Sequence, residues 1–136
     1  MRTGQHALLG EKMKILLVDD DDALLSFLAK KLEEGGFEVL QTHFGDGGLT
    51  LYEKNGPWEF VLSDYLFVPG VKIKDGVQLV TAIHGINPFQ QMAIMTADPE
   101  EAKRKLPAAL RGLPILRKPF KLGQVLRLLR QPVLPL

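Results

Sequence analysis

The chain has 136 residues, 46% of them hydrophobic and 24% charged, with a formal net charge of +1, which suits one globular domain rather than a disordered segment. The absence of cysteine excludes disulfides, thiolate zinc sites and cysteine nucleophiles, and suits a reducing compartment. No apolar run approaches the ~18 residues of a membrane span, and the mixed stretch from Met1 to Met13 has no apolar core of a secretory signal, so a cytoplasmic protein without membrane contact is expected.

Residues 1–12 read as a flexible N-terminal extension, 13–131 as the folded domain and 132–136 as a short tail. Lys14 to Asp19 (KILLVD) is an aliphatic run closed by an acid, the pattern of a strand buried on both faces of a parallel sheet. The acids up to Asp22 suit the positive end of a helix that carries Leu24, Leu25, Phe27, Leu28 and Leu32 and stops at Gly35-Gly36. Phe37 to Thr42 is a second strand. Gly45 to Glu53 is a weak helix, since Gly45, Gly47 and Gly48 each cost roughly 1 kcal/mol against alanine.

Glu59 to Asp64 is a third strand, again closed by an acid, and Tyr65 to Lys74, with Pro69 and Gly70, is a loop. Asp75-Gly76 opens a helix through Val77, Leu79, Val80 and Ile83 that Asn87-Pro88 breaks. Gln91 to Thr96 is a fourth strand. Asp98-Pro99-Glu100 caps a short basic helix that ends near Gly112, and Leu113 to Arg117 is a fifth strand. Pro119 opens a last helix and Pro132 stops it. Five strand–helix units in series imply an α/β (βα)₅ fold, a doubly wound parallel five-stranded sheet in a flavodoxin-like three-layer sandwich.

Ligands of such sheets bind outside the carboxyl ends of the strands. Asp19 and Asp20, Asp64, Thr96 and Lys118 all fall on that edge. Taken singly, each reads as a cap or a surface residue, and Asp21 and Asp22 as helix-start residues; the joint placement carries the reading. Three carboxylates together need a cation to stay ionised. Oxygen ligands alone point to a hard ion, Mg²⁺, held by Asp19, Asp20 and Asp64. A lysine and a hydroxyl beside them suit a phosphoryl group, and a carboxylate can accept one as an aspartyl phosphate. His6, His43 and His84 share no motif, and Gly45-Asp46-Gly47-Gly48 lacks the phosphate-loop and dinucleotide patterns.

These residues identify a resemblance. The stretches ILLVDDDD at 15–22, FVLSD at 60–64, AIMTA at 93–97 and LRKPF at 116–120 resemble the receiver domain of two-component response regulators, over about Lys14 to Gln131. The resemblance implies that Asp64 accepts a phosphoryl group from a histidine kinase or phosphotransfer protein. It makes Asp19 and Asp20 the acid pair for Mg²⁺, Thr96 the switch hydroxyl, and Lys118 the lysine before a cis-type Lys-Pro bond. Enzymatic activity would be at most self-phosphorylation from a phosphodonor and slow autodephosphorylation.

Two departures stand out. The family pattern D-x-x-x-P-x-x-D-G gains one residue before Pro69 and three between it and Asp75. That longer loop contains Leu66, whose backbone carbonyl the resemblance implies as a further metal contact. Ile115 occupies the position of the usual aromatic rotamer switch. A degenerate receiver, acting as a phosphorylation-independent interaction module, is therefore the alternative reading. A metal-dependent phosphatase with a D-x-D motif matches only through the Asp run.

Charge is uneven. Residues 1–96 hold 8 Lys and Arg against 13 Asp and Glu, a net of −5, whereas residues 97–136 hold 9 against 3, a net of +6. An acidic downstream protein partner is expected on the 97–130 face. Nucleic acid is not expected, because only Phe120 interleaves the basic residues.

Overall fold

The structure, a computed structural model, describes residues 12–130. The expected N-terminal extension apart from Lys12, His6 within it, and the tail with the Pro132 stop lie outside the described residues.

Five strands and five helices alternate: β1 Lys14–Val18, α1 Asp22–Glu34, β2 Glu38–Thr42, α2 Gly45–Asn55, β3 Phe60–Asp64, α3 Gly76–Ile86, β4 Met92–Thr96, α4 Pro99–Lys105, β5 Ile115–Arg117 and α5 Leu122–Arg130. All strand pairs are parallel and the sheet order is β2-β1-β3-β4-β5. β3 and β4 are buried at every residue, as their unbroken apolar runs require when helices cover both faces.

Side chains alternate across the sheet. Leu16, Val18, Val61 and Ile94 pack against α2, α3 and α4 in one core. Ile15, Leu17, Leu62 and Met95 pack against α1 and α5 in the other. Each such buried aliphatic side chain stabilises the fold by about 1.5–3 kcal/mol relative to exposure. The result is the expected three-layer sandwich with the acid-bearing strand ends on one edge.

Several boundaries differ from the sequence reading, and β5 begins at Ile115 rather than Leu113. α4 stops at Lys105, well short of Gly112. Pro107 forces the preceding Leu106 into extended backbone (φ −67°, ψ 134°), and a single 3-10 turn at Ala108–Leu110 follows. Pro119 does not open the last helix. Its bond to Lys118 is cis, and α5 begins at Leu122. α2 runs on to Asn55, past the expected Glu53.

The glycines of α2 are there for space. A Cβ at Gly45 would fall 2.7 Å from the Phe67 ring and overlap Ile73, and one at Gly48 would lie 2.9 Å from Val18. Both are buried, and both let neighbouring segments reach the helix backbone. Among the described residues, no helix is long and apolar enough to cross a membrane.

This packing predicts opposite outcomes for two Gly→Ala substitutions. Gly85, in α3, has open space around its Cβ position. Gly85→Ala should be stabilising by about 0.5–1 kcal/mol through helix propensity. Gly45→Ala gains the same propensity but overpacks Phe67 and Ile73, for a net loss of about 1–2 kcal/mol. Urea denaturation of both variants measures the difference.

Candidate functional site

The carboxyl ends of β1 and β3 bring three acids together. Oxygens of Asp19, Asp20 and Asp64 all lie within 4.8 Å of one another. Asp19 is fully buried and Asp64 nearly so, whereas Asp20 is exposed. The next two acids are used by the helix instead. Asp21 caps α1 by accepting from Leu24 N at 3.1 Å, and Asp22 sits in its first turn, paired with His43. The amide of Asp21 also donates to Asp19 Oδ1 at 2.9 Å, which orients that carboxylate.

Lys118 supplies the counter-charge. Its Nζ lies 2.8 Å from Asp19 Oδ2 and 3.1 Å from Asp64 Oδ1. The residue is held by its own amide, which donates to Thr96 O at 2.8 Å. Thr96, buried at the end of β4, accepts from Asp98 N at 3.0 Å through its hydroxyl. The structure thus gathers Asp19, Asp20, Asp64 and Lys118 into one cluster and sets Thr96 on the same edge, beside the strand that ends in Asp64.

One ammonium does not balance three carboxylates. Burial, then the charge of Asp19, pushes Asp64 up from 3.8 to about 7, against the opposing pull of Lys118. Burial works against the Lys118 ammonium, but its hydrogen bond to Asp19 and the charges of Asp64 and Asp19 outweigh this and raise it above the ordinary lysine value. A surplus of negative charge on an all-oxygen donor set, two of its members buried, fits a hard divalent cation. Chemically, the cluster combines a carboxylate nucleophile with a cation beside it, the needs of phosphoryl acceptance.

The segment after Asp64 is ordered by residues that the sequence reading passed over. Asp46, in the first turn of α2, accepts from Val71 N at 3.0 Å and Ile73 N at 2.8 Å, and both its oxygens accept from Lys72 N. The amides of Ile73, then of Lys72, hold its carboxyl below the usual range. Phe67 and Ile73 are buried beside Gly45, while Leu66 and Val68 stay exposed. At the far end, Gly76 N donates to Tyr65 O at 2.7 Å, and a Cβ at Gly76 would collide with Asp64 O. The signal was present in the sequence as three costly glycines around one acid; it marked a close approach of chain to helix, not a ligand.

Tyr65 was also missed. Its ring is buried, and burial, followed by the hydrogen bond to Glu101 of α4, pushes its phenol up to about 12. Ile115 stands opposite Ile94 in the sheet and packs on the core as an aliphatic residue.

No family model matches the chain. Comparison with curated proteins finds the response regulator receiver protein CpdR of Brucella abortus, 33% identical over 111 residues, covering 80% of this chain and 87% of that one. Among solved structures, a response regulator receiver protein from Sinorhizobium medicae is 26% identical with a TM-score of 0.73, covering 88% of this chain and 95% of that one. A Burkholderia pseudomallei response regulator with a phosphorylated aspartic acid, a calcium ion and citrate is 23% identical with a TM-score of 0.73, covering 88% and 68%.

The raised value at Asp64 has a direction in pH. Between 3.8 and about 7 the folded chain binds more protons at Asp64 than the unfolded chain does. Its contribution to stability is therefore full at low pH and declines as pH rises through that window. Without divalent cations, Asp64→Asn should match the wild type near pH 4 and exceed it at pH 8. Denaturation midpoints of both proteins across that range check the sign.

Proposed function

The chain belongs to the response regulator receiver family, and we propose that it is a phosphoacceptor of a two-component relay, modified on Asp64 by a histidine kinase or phosphotransfer protein. The observation that carries this is the placement of Asp19, Asp20 and Asp64 within 4.8 Å, with Lys118 Nζ bridging Asp19 and Asp64. The aspartyl phosphate and calcium ion in the Burkholderia regulator support it. So does the completeness of the set, which favours this reading over an interaction module that has lost its chemistry.

In the transfer, an Asp64 carboxylate oxygen attacks phosphorus. The N–P bond of the donor's phosphohistidine breaks and its electron pair returns to the imidazole. Lys118 pulls the Asp64 carboxylate toward its ionised form for attack and then offsets charge on the phosphoryl oxygens. Asp19, held by the Asp21 amide and Lys118, and Asp20, open to solvent, would hold Mg²⁺ together with Asp64. Held there, such an ion would supply positive charge against the phosphoryl oxygens. Hydrolysis later reverses the modification, as water attacks phosphorus and expels the carboxylate with release of inorganic phosphate.

The signal would leave through Thr96 and Lys118. Lys118 N is bonded to Thr96 O, and Arg117 Nη1 reaches Ala97 O at 3.4 Å, so the end of β5 and the start of α4 are tied together. With Ile115 in place of an aromatic ring, a small shift of α4 selected from existing states carries the change. Lys103, Arg104, Lys105, Arg111 and Arg127, along the 97–130 stretch, are all exposed, which suits an acidic protein partner.

Incubation with phosphoramidate and Mg²⁺ should add one phosphoryl group by intact mass, and Asp64→Asn should add none; labelling of the Asn variant would overturn the assignment. Mg²⁺ should raise the wild-type melting temperature by mass action, and Asp20→Ala should lose most of that gain. Phosphorylation should alter amide exchange across residues 96–120. Changes confined to 60–75 would refute the α4 route.

A further inference from the structure

The loop between Asp64 and α3 is four residues longer than the family pattern, and it is held to the fold rather than left slack. Val71 is 86% exposed, Leu66 59% and Val68 55%, while Phe67 and Ile73 of the same loop are buried. The apolar residues thus sort into two sets. One is sunk beside Gly45, and the other is exposed to solvent, Val71 on a backbone that Asp46 grips at three consecutive amides. Gly70 N also donates to Ile73 O at 2.9 Å, and Lys74 Nζ to Gly70 O at 2.6 Å, closing the loop on itself. Phe44, next to Gly45 in the chain, adds a half-exposed ring.

We propose that Leu66, Val68 and Val71 form a preformed docking surface for the protein that donates the phosphoryl group to Asp64, and that the added residues set which donor is accepted. This rests on the phosphoacceptor reading. Two observations favour the donor over an output partner. A donor must bring its phosphohistidine into contact with Asp64, and Leu66 is only two residues away in the chain. A donor also binds the unphosphorylated form, so its surface must exist before modification. The grip of Asp46 and the packing on Gly45 involve no carboxylate of the acidic cluster, so the surface stands without phosphorylation. Rigid apolar groups lose little entropy on binding. Lys72, exposed beside Val71, asks for an acidic flank on an otherwise apolar partner surface.

The test separates small-molecule from protein donors. The probes are phosphoramidate and, in turn, each phosphorylated histidine kinase of the source genome at short reaction times. The test variant is Val68→Ser with Val71→Ser, and Val71→Ser alone is the milder form. The control is Ile86→Ser with Phe89→Ser, which removes exposed apolar side chains at the opposite edge of the sheet. Wild type should take label from phosphoramidate and from at least one kinase. The loop variants should keep wild-type melting and phosphoramidate labelling but lose roughly tenfold or more in transfer from that kinase, and the control should lose nothing. Equal kinase transfer to the loop variants, or no transfer from any kinase to a wild type that phosphoramidate labels, overturns the inference and leaves the phosphoacceptor reading standing. Failure of phosphoramidate to label the wild type overturns both.

Discussion

A single ammonium group, that of Lys118, lies against two carboxylates that the fold has withdrawn from water. Asp19 is fully buried and Asp64 nearly so, and either alone would be costly as an anion. Their strands lie side by side in the sheet, while Lys118 comes from the end of β5, two strands away from β3. It reaches them because β4 ends at Thr96, whose carbonyl holds the Lys118 amide. Any slip in strand register would move these groups by more than a hydrogen bond and leave buried charge unpaired. The order and register of the sheet are therefore tied to the chemistry at its edge.

The same cluster is balanced only in part. Burial, then the charge of Asp19, leaves Asp64 with a raised proton affinity, and a divalent cation would relieve it. The residue pulled furthest from its ordinary carboxylate value is thus the one assigned the transfer chemistry, the coincidence expected of a functional site. Phosphorylation would also change the charge that Lys118 faces. Lys118 is bonded to the β4–α4 junction, so a change at one carboxylate has a short covalent and hydrogen-bonded path to the basic face. α4 starts where that path ends. Asp98 caps it, Glu100 and Glu101 fill its first turn and three basic residues its last, so its dipole is well complemented. Yet it is only seven residues long, because of Pro107.

A second constraint works beside the first. Extra residues after Asp64 would ordinarily loosen the segment next to the acceptor. Here the glycine-rich start of α2 lets Phe67 and Ile73 come close, and Asp46 satisfies the amides that this loop would otherwise leave to water. The lengthened loop is consequently a shaped feature of the edge, with apolar side chains turned outward at fixed positions. The hydrogen bond of Tyr65 to Glu101 joins the loop's first residue to α4.

The strand–helix alternation, the two-faced burial of β1, β3 and β4, and the edge that collects Asp19, Asp20, Asp64, Thr96 and Lys118 were all legible from residue order, because hydrophobic period and strand-end acids are local signals. So were the caps at Asp75 and Asp98, which act within three residues of themselves. The early end of α4 was local too, and written in Pro107. What could not be read were contacts between segments distant in the chain. Asp46 meets residues 25 to 27 positions away, and Lys118 meets Asp19 at a separation of 99. Local patterning says that an acid or a glycine is present and on which element. Only the packed structure decides which backbone lies against it, because such contacts depend on how several elements stack at once.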